Sequence, residues 1–200
     1  LNNSYYLENI DDKTNKIMIS KIVRTFSDIQ DARNIIFKSV GIHDKNSTDG
    51  VYDKCDGPQL IIYNDPSDGF FYNNITQVSV KDIYYDDNGN KIFNTENDKN
   101  KPHDKNKAWI FVTSLNSNGG GNVEKVRAQI KNSPANAEPA NAEKIKGSTV
   151  TNHYDGWWYS DKNNWFNKNP DWDSKDEDNR YGFVGTVAVQ YQPGMTLQYR

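Results

Sequence analysis

Tyr181-Gly182-Phe183-Val184-Gly185-Thr186-Val187-Ala188-Val189-Gln190-Tyr191 closes a stretch that begins at Trp157, and its reading decides the fold. Phe183, Val187 and Val189 with the β-branched Thr186 spell a β-strand, bounded by Gly182 on one side and Pro193-Gly194 on the other. Ahead of it run Trp157-Trp158-Tyr159, Trp165-Phe166 and Asp171-Trp172-Asp173-Ser174. A polar connection of that length is uncommon in a compact domain, and such loops usually bind something. Four of the five tryptophans of the chain lie in this stretch.

Working outward, the rest of the chain also reads as strands and turns. Lys16 to Phe26 is rich in β-branched residues and predicts an early strand. Ser27-Asp28-Ile29-Gln30 resembles a helix capping box, and Ile29, Ala32, Ile36 and Phe37 follow at near-helical spacing, so a short helix is expected there; a continued strand would use the same residues. Gln59-Leu60-Ile61-Ile62-Tyr63 is a short apolar strand stopped by the turn-forming residues 64–69. Val78 to Tyr85 predicts a strand whose partner is announced by Asn88-Gly89, the strongest short-range hairpin signal. Ala108 to Leu115 is apolar on both faces, which predicts a central strand with Trp109 in the core. Gly119-Gly120-Gly121 breaks it, and Val123 to Ile130 suits strand or helix. The doubled Pro-Ala-Asn-Ala-Glu at 134–143 reads as a duplication in a surface loop, because two five-residue repeats cannot build a core. Many short strands without a βα alternation predict an all-β antiparallel sandwich with long loops and one or two short helices.

Composition narrows the function. Leu, Ile, Val and Phe make up about a fifth of the 200 residues, low for a globular chain, but a net charge of -3 and 12% aromatics restore enough buriable surface to fold one domain over 1–200. Without a Lys/Arg cluster the electrostatic term behind nucleic-acid affinity is missing, so no nucleic acid is expected as partner. The longest apolar run, Trp109 to Val112, is far too short to insert into a membrane as a helix. The single Cys55 excludes an internal disulfide and any cysteine metal cage.

No nucleotide-binding loop, zinc-protease histidine pair or nucleophile elbow occurs. His43, His103 and His153 sit in polar stretches with no partner at ligand spacing and read as surface histidines. Two carboxylates could serve a glycosidase, but only a fold can bring such a pair together, and the expectation is a non-catalytic domain needing no cofactor. Asp171, Asp173, Asp176, Glu177, Asp178 and Asn179 offer the hard oxygens that Ca²⁺ prefers. Their spacing is not that of an EF-hand, and a solvated acidic loop explains them as well. Loop Trp and Tyr side chains suit carbohydrate or protein recognition through rigid contact area. Trp157, Trp158, Tyr159, Trp165, Asp171, Trp172 and Asp173 are therefore the candidate ligand-binding residues, with a core role equally open for Trp157, Trp158 and Trp165.

Several pieces occur together in one order: Ile-Ser-Lys-Ile-Val at 19–23, Leu-Ile-Ile-Tyr-Asn-Asp-Pro at 60–66 with Gly69-Phe70-Phe71-Tyr72, Tyr-Asp-Asp-Asn-Gly-Asn-Lys-Ile at 85–92, Val-Thr-Ser-Leu-Asn at 112–116, Gly147-Ser148-Thr149-Val150, and Trp172-Asp173-Ser174 before Asn179 and Tyr181-Gly182. In this order the chain resembles the variable region of streptococcal antigen I/II adhesins and the related glucan-binding protein C. The resemblance implies an antiparallel sandwich, monomeric as an isolated domain, carried on the stalk of a cell-wall-anchored extracellular protein of a Gram-positive bacterium, with residues 1–15 as a stalk-linking segment. It further implies adhesion without catalysis, to host glycoproteins of the salivary agglutinin type, to other microbial surfaces, or to glucan. The rival expectations are a glycan-processing enzyme and a purely structural spacer.

Overall fold

The computed structural model describes residues 2–6, 19–38, 57–64, 66, 69–92, 108–118, 121–130, 141–164, 182–192 and 194–200. They form an all-β, predominantly antiparallel sandwich fold divided into two compact units, Leu1–Thr95 and Glu96–Arg200.

In the first unit β1 (Asn2–Tyr6), β2 (Lys21–Gln30) and β6 (Gln77–Tyr85) run antiparallel in that order. A second layer contains β3 (Asn34–Lys38), β4 (Gln59–Tyr63) and β5 (Phe70–Asn73). The layers meet where Phe26 packs edge-on against Phe70, ring centroids 5.4 Å apart. Beside that contact, Arg24 grips Asp82 through two parallel bonds, Nε to Oδ1 at 2.8 Å and Nη2 to Oδ2 at 2.7 Å, and its Nη1 donates to the Pro66 carbonyl at 2.7 Å. β4 is buried along its whole length, as a continuous apolar run requires.

The helix expected from Ser27 to Phe37 does not form. β2 continues to Gln30, with a bulge between Ser27 and Gln30 where Asp28 takes a left-handed φ of 49°. Ile35, Ile36 and Phe37 belong to β3, which pairs parallel with β4 and so departs from the otherwise antiparallel pattern. Ile29, Ile36 and Phe37, three of the four residues that suited a helix by spacing, are β-branched or aromatic, and neighbouring strands supplied the ladders. The Asn-Gly hairpin is present. Asp86 N–H donates to the Asn90 carbonyl at 2.9 Å, Gly89 N–H to the Asp86 carbonyl at 3.0 Å, and Gly89 takes the φ of 77° that its lack of Cβ permits.

In the second unit β8 (Val126–Ile130), β10 (Val150–Asn152), β11 (Trp158–Ser160) and β13 (Met195–Tyr199) form one antiparallel ladder in the order β13, β8, β11, β10. Another layer has β12 (Val187–Gln190) between β7 (Trp109–Val112) and β9 (Ala142–Lys144). Val126, Ala128, Val150, Met195 and Leu197 on the first and Val112, Val187 and Val189 on the second are buried. Two expectations are corrected here. Trp109–Val112 is an edge of its three-stranded sheet and Trp109 is 38% exposed, because β12 took the central place. Phe183 lies in a 3-10 turn over Gly182–Gly185 and is exposed, so the strand starts at Val187. The end of the Pro-Ala-Asn-Ala-Glu repeat is also more than a loop, since Ala142 and Glu143 pair with Val189 and Ala188.

Replacing Arg24 by Ala strands the Asp82 carboxylate in a buried position and should lower unfolding free energy by about 3–5 kcal/mol, whereas Arg24→Met with Asp82→Leu should recover most of it. Urea unfolding of the three proteins measures this, and equal loss in the single and double variants would contradict it. Asp86 accepts from the Asn90 backbone N–H at 2.8 Å and from the Asn90 amide and Asn88 N–H, which holds its carboxyl below the ordinary value of 3.8. A depressed folded value means the turn is fully supported above pH 3.8 and loses that support as pH falls through the folded value. A carboxyl NMR titration should therefore give Asp86 a midpoint under 3.8.

Candidate functional site

The hairpin of β10 and β11 carries the first of the expected ligand residues. Register pairs Trp158 with Val126 and with Asn152, which puts the Trp158 side chain on the side of the ladder that also bears Val126 and Ala128. Trp157 and Tyr159 therefore project to the opposite side. There the Arg127 and Arg200 guanidiniums lie 4.6 and 4.8 Å from the centre of the Trp157 indole, and Lys125 Nζ lies 4.6 Å from the Tyr159 ring. These are cation–π distances. Two guanidiniums over one indole leave Trp157 only 8% exposed, even though it sits on the outer side of the ladder.

His153 extends the row. Its imidazole stacks on Tyr159 at 3.6 Å with 15° between planes, Nε2 is 3.0 Å from Thr151 Oγ1, and it lies 3.5 Å from the Asp161 carboxylate. His153 is thus a built-in member of an aromatic ledge rather than a free surface histidine. Between the strands, Tyr154–Gly156 makes a 3-10 turn closed by His153 N–H donating to the Trp157 carbonyl at 2.8 Å. Gly156 supplies the φ of 73° that the turn needs. Tyr154, at its tip, is 90% exposed.

Trp165, Asp171, Trp172 and Asp173, with the remaining acidic residues 176–178, lie outside the described residues. The residues flanking 165–181 are described on both sides, and they converge. Asn164 is buried; its Nδ2 donates to the Leu115 carbonyl at 3.0 Å and to Thr149 Oγ1 at 3.2 Å, and its Oδ1 accepts from Ser117 N–H at 2.6 Å. On the far side, Val184 O accepts from Thr149 N–H at 2.9 Å and Thr149 Oγ1 at 3.0 Å, and Gly185 O accepts from Leu115 N–H at 3.0 Å. Leu115 and Thr149 hold both ends at once. Gly147 completes the clamp, since a Cβ there would stand 2.7 Å from Phe183 Cε2.

Sequence reasoning missed Lys125, Arg127, Arg200 and Asn164. Lys125 and Arg127 flank the first residue of β8 while Arg200 follows β13, so only strand pairing gathers the three cations, and a lone Asn in an Asn-rich chain carries no signal. No group of three or more His, Cys, Asp or Glu side chains suited to a metal occurs among the described residues.

A family model described as glucan-binding protein C matches residues 1–200. The chain belongs to the glucan-binding protein C family. Among solved structures it is similar to glucan-binding protein C of Streptococcus mutans, at 22% identity and a TM-score of 0.59, over 98% of this chain and 51% of that one. It is also similar to the adhesin domain of PrgB from Enterococcus faecalis, solved bound to DNA, at 16% identity and a TM-score of 0.54, over 90% of this chain and 54% of that one. A second structure of that adhesin domain aligns at 18% identity and a TM-score of 0.52, over 90% of this chain and 51% of that one. No curated protein sequence matches. The chain spans about half the length of these solved neighbours. At such identities the structural likeness establishes the shared fold.

Asn164→Ala would remove the acceptor of the Ser117 N–H and the donor to the Leu115 carbonyl in a buried place, at a cost of about 2–4 kcal/mol. Asn164→Asp keeps the acceptor but turns a buried carboxylate oxygen toward the Leu115 carbonyl, so it should be at least as destabilising as the Ala variant. Thermal and urea denaturation rank the three; an Asn164→Ala protein as stable as the parent would show that the clamp is not needed.

Proposed function

We propose that this chain is a non-catalytic adhesin domain of a Gram-positive, cell-wall-anchored surface protein, which binds the carbohydrate of a glucan or of a host glycoprotein. The observation that carries the reading is Tyr154, 90% exposed at the tip of a hairpin that the covered Trp157 and the stacked His153 and Tyr159 rings brace. An aromatic ring presented on a braced turn offers a pyranose an apolar face at low entropy cost. Family membership and the adherence named for the Streptococcus mutans neighbour support the same reading. The variable region of antigen I/II adhesins remains part of this proposal, on the motif order in the sequence.

In this reading Trp165, Asp171, Trp172 and Asp173, which lie outside the described residues, supply further stacking and hydroxyl contacts, and the acidic residues could take Ca²⁺. No cofactor enters. Nucleic acid is left out of this reading because the chain is net acidic, and the ligand of the neighbour solved with DNA is not carried over at 16% identity.

The test is binding of the folded domain to a glycan array and to salivary agglutinin, comparing native protein with Tyr154→Ala and Trp172→Ala. Loss of a central aromatic contact of about 2 kcal/mol should weaken binding roughly 30-fold. Unchanged affinity in both variants would remove the ledge from the proposal. Sustained release of reducing sugar from a polysaccharide panel would replace adhesion by catalysis, and a shift of labelled DNA at physiological salt would reinstate nucleic acid.

A further inference from the structure

We infer that Asn88–Gly89 is a self-modification site, at which the Asn88 carboxamide is converted to aspartate and isoaspartate with loss of ammonia, and that opening of the turn after β6 sets the rate.

The reaction needs an amide side chain followed by a residue without a Cβ. The Gly89 nitrogen gives up its proton to hydroxide and attacks the Asn88 side-chain carbonyl carbon. The new N–Cγ bond closes a cyclic imide, the Cγ–Nδ2 bond breaks, and the leaving nitrogen takes a proton from water and departs as ammonia. Water then opens the imide at either carbonyl. One opening gives aspartate; the other gives isoaspartate, in which the main chain runs on through Cγ. Water is the only other reactant.

The turn presents the pair for this chemistry. Asn88 and Gly89 are both exposed, and a Cβ at Gly89 would meet no heavy atom within 4 Å, so the Asn88 side chain has room to fold over the next nitrogen. Its carboxamide makes no hydrogen bond among the described residues, where only the Asn88 backbone N–H is held, by Asp86 Oδ1 at 3.0 Å. Asn90 is the contrast in the same turn. Its Nδ2 donates to Asp86 Oδ2 at 3.2 Å, and Lys91, which has a Cβ, follows it.

The same turn holds the reaction back. Gly89 N–H donates to the Asp86 carbonyl at 3.0 Å, and attack from that nitrogen requires this bond to break first. The Asp86 carboxylate keeps the turn closed by accepting from the backbone N–H groups of Asn88 and Asn90. Those bonds hold its carboxyl below 3.8, so it stays ionised at neutral pH. With Asp87 beside it, it also opposes the anionic nitrogen that the attack passes through. Local opening of an exposed turn costs far less than global unfolding, so the folded chain reacts through its open fraction.

Modification has a structural consequence. The aspartate product adds a carboxylate next to Asp86 and Asp87 and one negative charge to the net -3 of the chain. The isoaspartate product lengthens the main chain by one carbon. That extra length displaces the bonds from Asp86 N–H to the Asn90 carbonyl and from Ile92 N–H to the Tyr84 carbonyl, both 2.9 Å, which fasten the returning chain to β6.

Peptide-mapping mass spectrometry of the whole domain, held at mildly acid and mildly alkaline pH, tests this, with isoaspartate detected by enzymatic methylation. Asn88 should convert to both products, faster at the alkaline pH. Asp86→Ala should speed conversion about fivefold, and the urea-unfolded chain should convert fastest. Asn88→Gln, whose longer arm closes the ring much more slowly, should remain unmodified. Amide exchange at Ile92 should rise in the modified fraction. A folded domain unmodified at Asn88 while the unfolded chain converts would overturn the site, as would conversion confined to the other Asn-Gly pair, Asn118-Gly119. Aspartate without isoaspartate would overturn the cyclisation. Equal rates in the native, Asp86→Ala and unfolded proteins would overturn control by the turn.

Discussion

One carboxamide holds the base of the long aromatic-acidic excursion. Asn164 donates to Leu115 and Thr149 and accepts from Ser117, and the returning chain is bound by the same Leu115 and Thr149 through the carbonyls of Gly185 and Val184. Thr149 Oγ1 works in both directions at once, accepting from Asn164 and donating to Val184. Such a closed network is stable because every buried group in it has a partner, and it is intolerant because removing one member exposes several.

The aromatic residues serve two opposed purposes in the second unit. Trp157 is covered by two guanidiniums and so contributes mainly rigidity, bracing a hairpin whose exposed tip is Tyr154. Trp109 and Phe111, at 38% and 61% exposure, lie on a strand that is at the edge of its sheet among the described residues. Edge strands with exposed apolar side chains invite association, which proteins usually suppress with charge or bulges.

Much of the fold can be read without coordinates where the determining interaction is local. Asn88-Gly89 supplies a left-handed turn residue, and Gln59–Tyr63 is an uninterrupted apolar run, so each names its own conformation. The early strand and the strand at Trp109–Val112 follow from β-branched and aromatic content. The reading fails where two elements compete for the same residues. Ser27–Phe37 has a helical spacing, yet β6 and β4 offered ladders that a helix could not match. Trp109 looked interior because its strand is apolar on both faces, but interior position belongs to whichever strand gains two neighbours, and that was Val187–Gln190. Met195–Tyr199, with alternating polar and apolar residues, pairs with β8 although its sequence drew no notice.

The amino-acid order alone determined an all-β chain, its hairpin, its acidic balance and a family resemblance carried by motifs in sequence. All of these depend on neighbours within a few residues or on composition. Only the tertiary structure decided which aromatic rings face outward, that His153 stacks on Tyr159, and that Asn164 binds a segment 49 residues away. Those outcomes rest on strand register, and a shift of one residue in register exchanges the two sides of a sheet. Local chemistry names the strands here; long-range pairing selects the surface that they present.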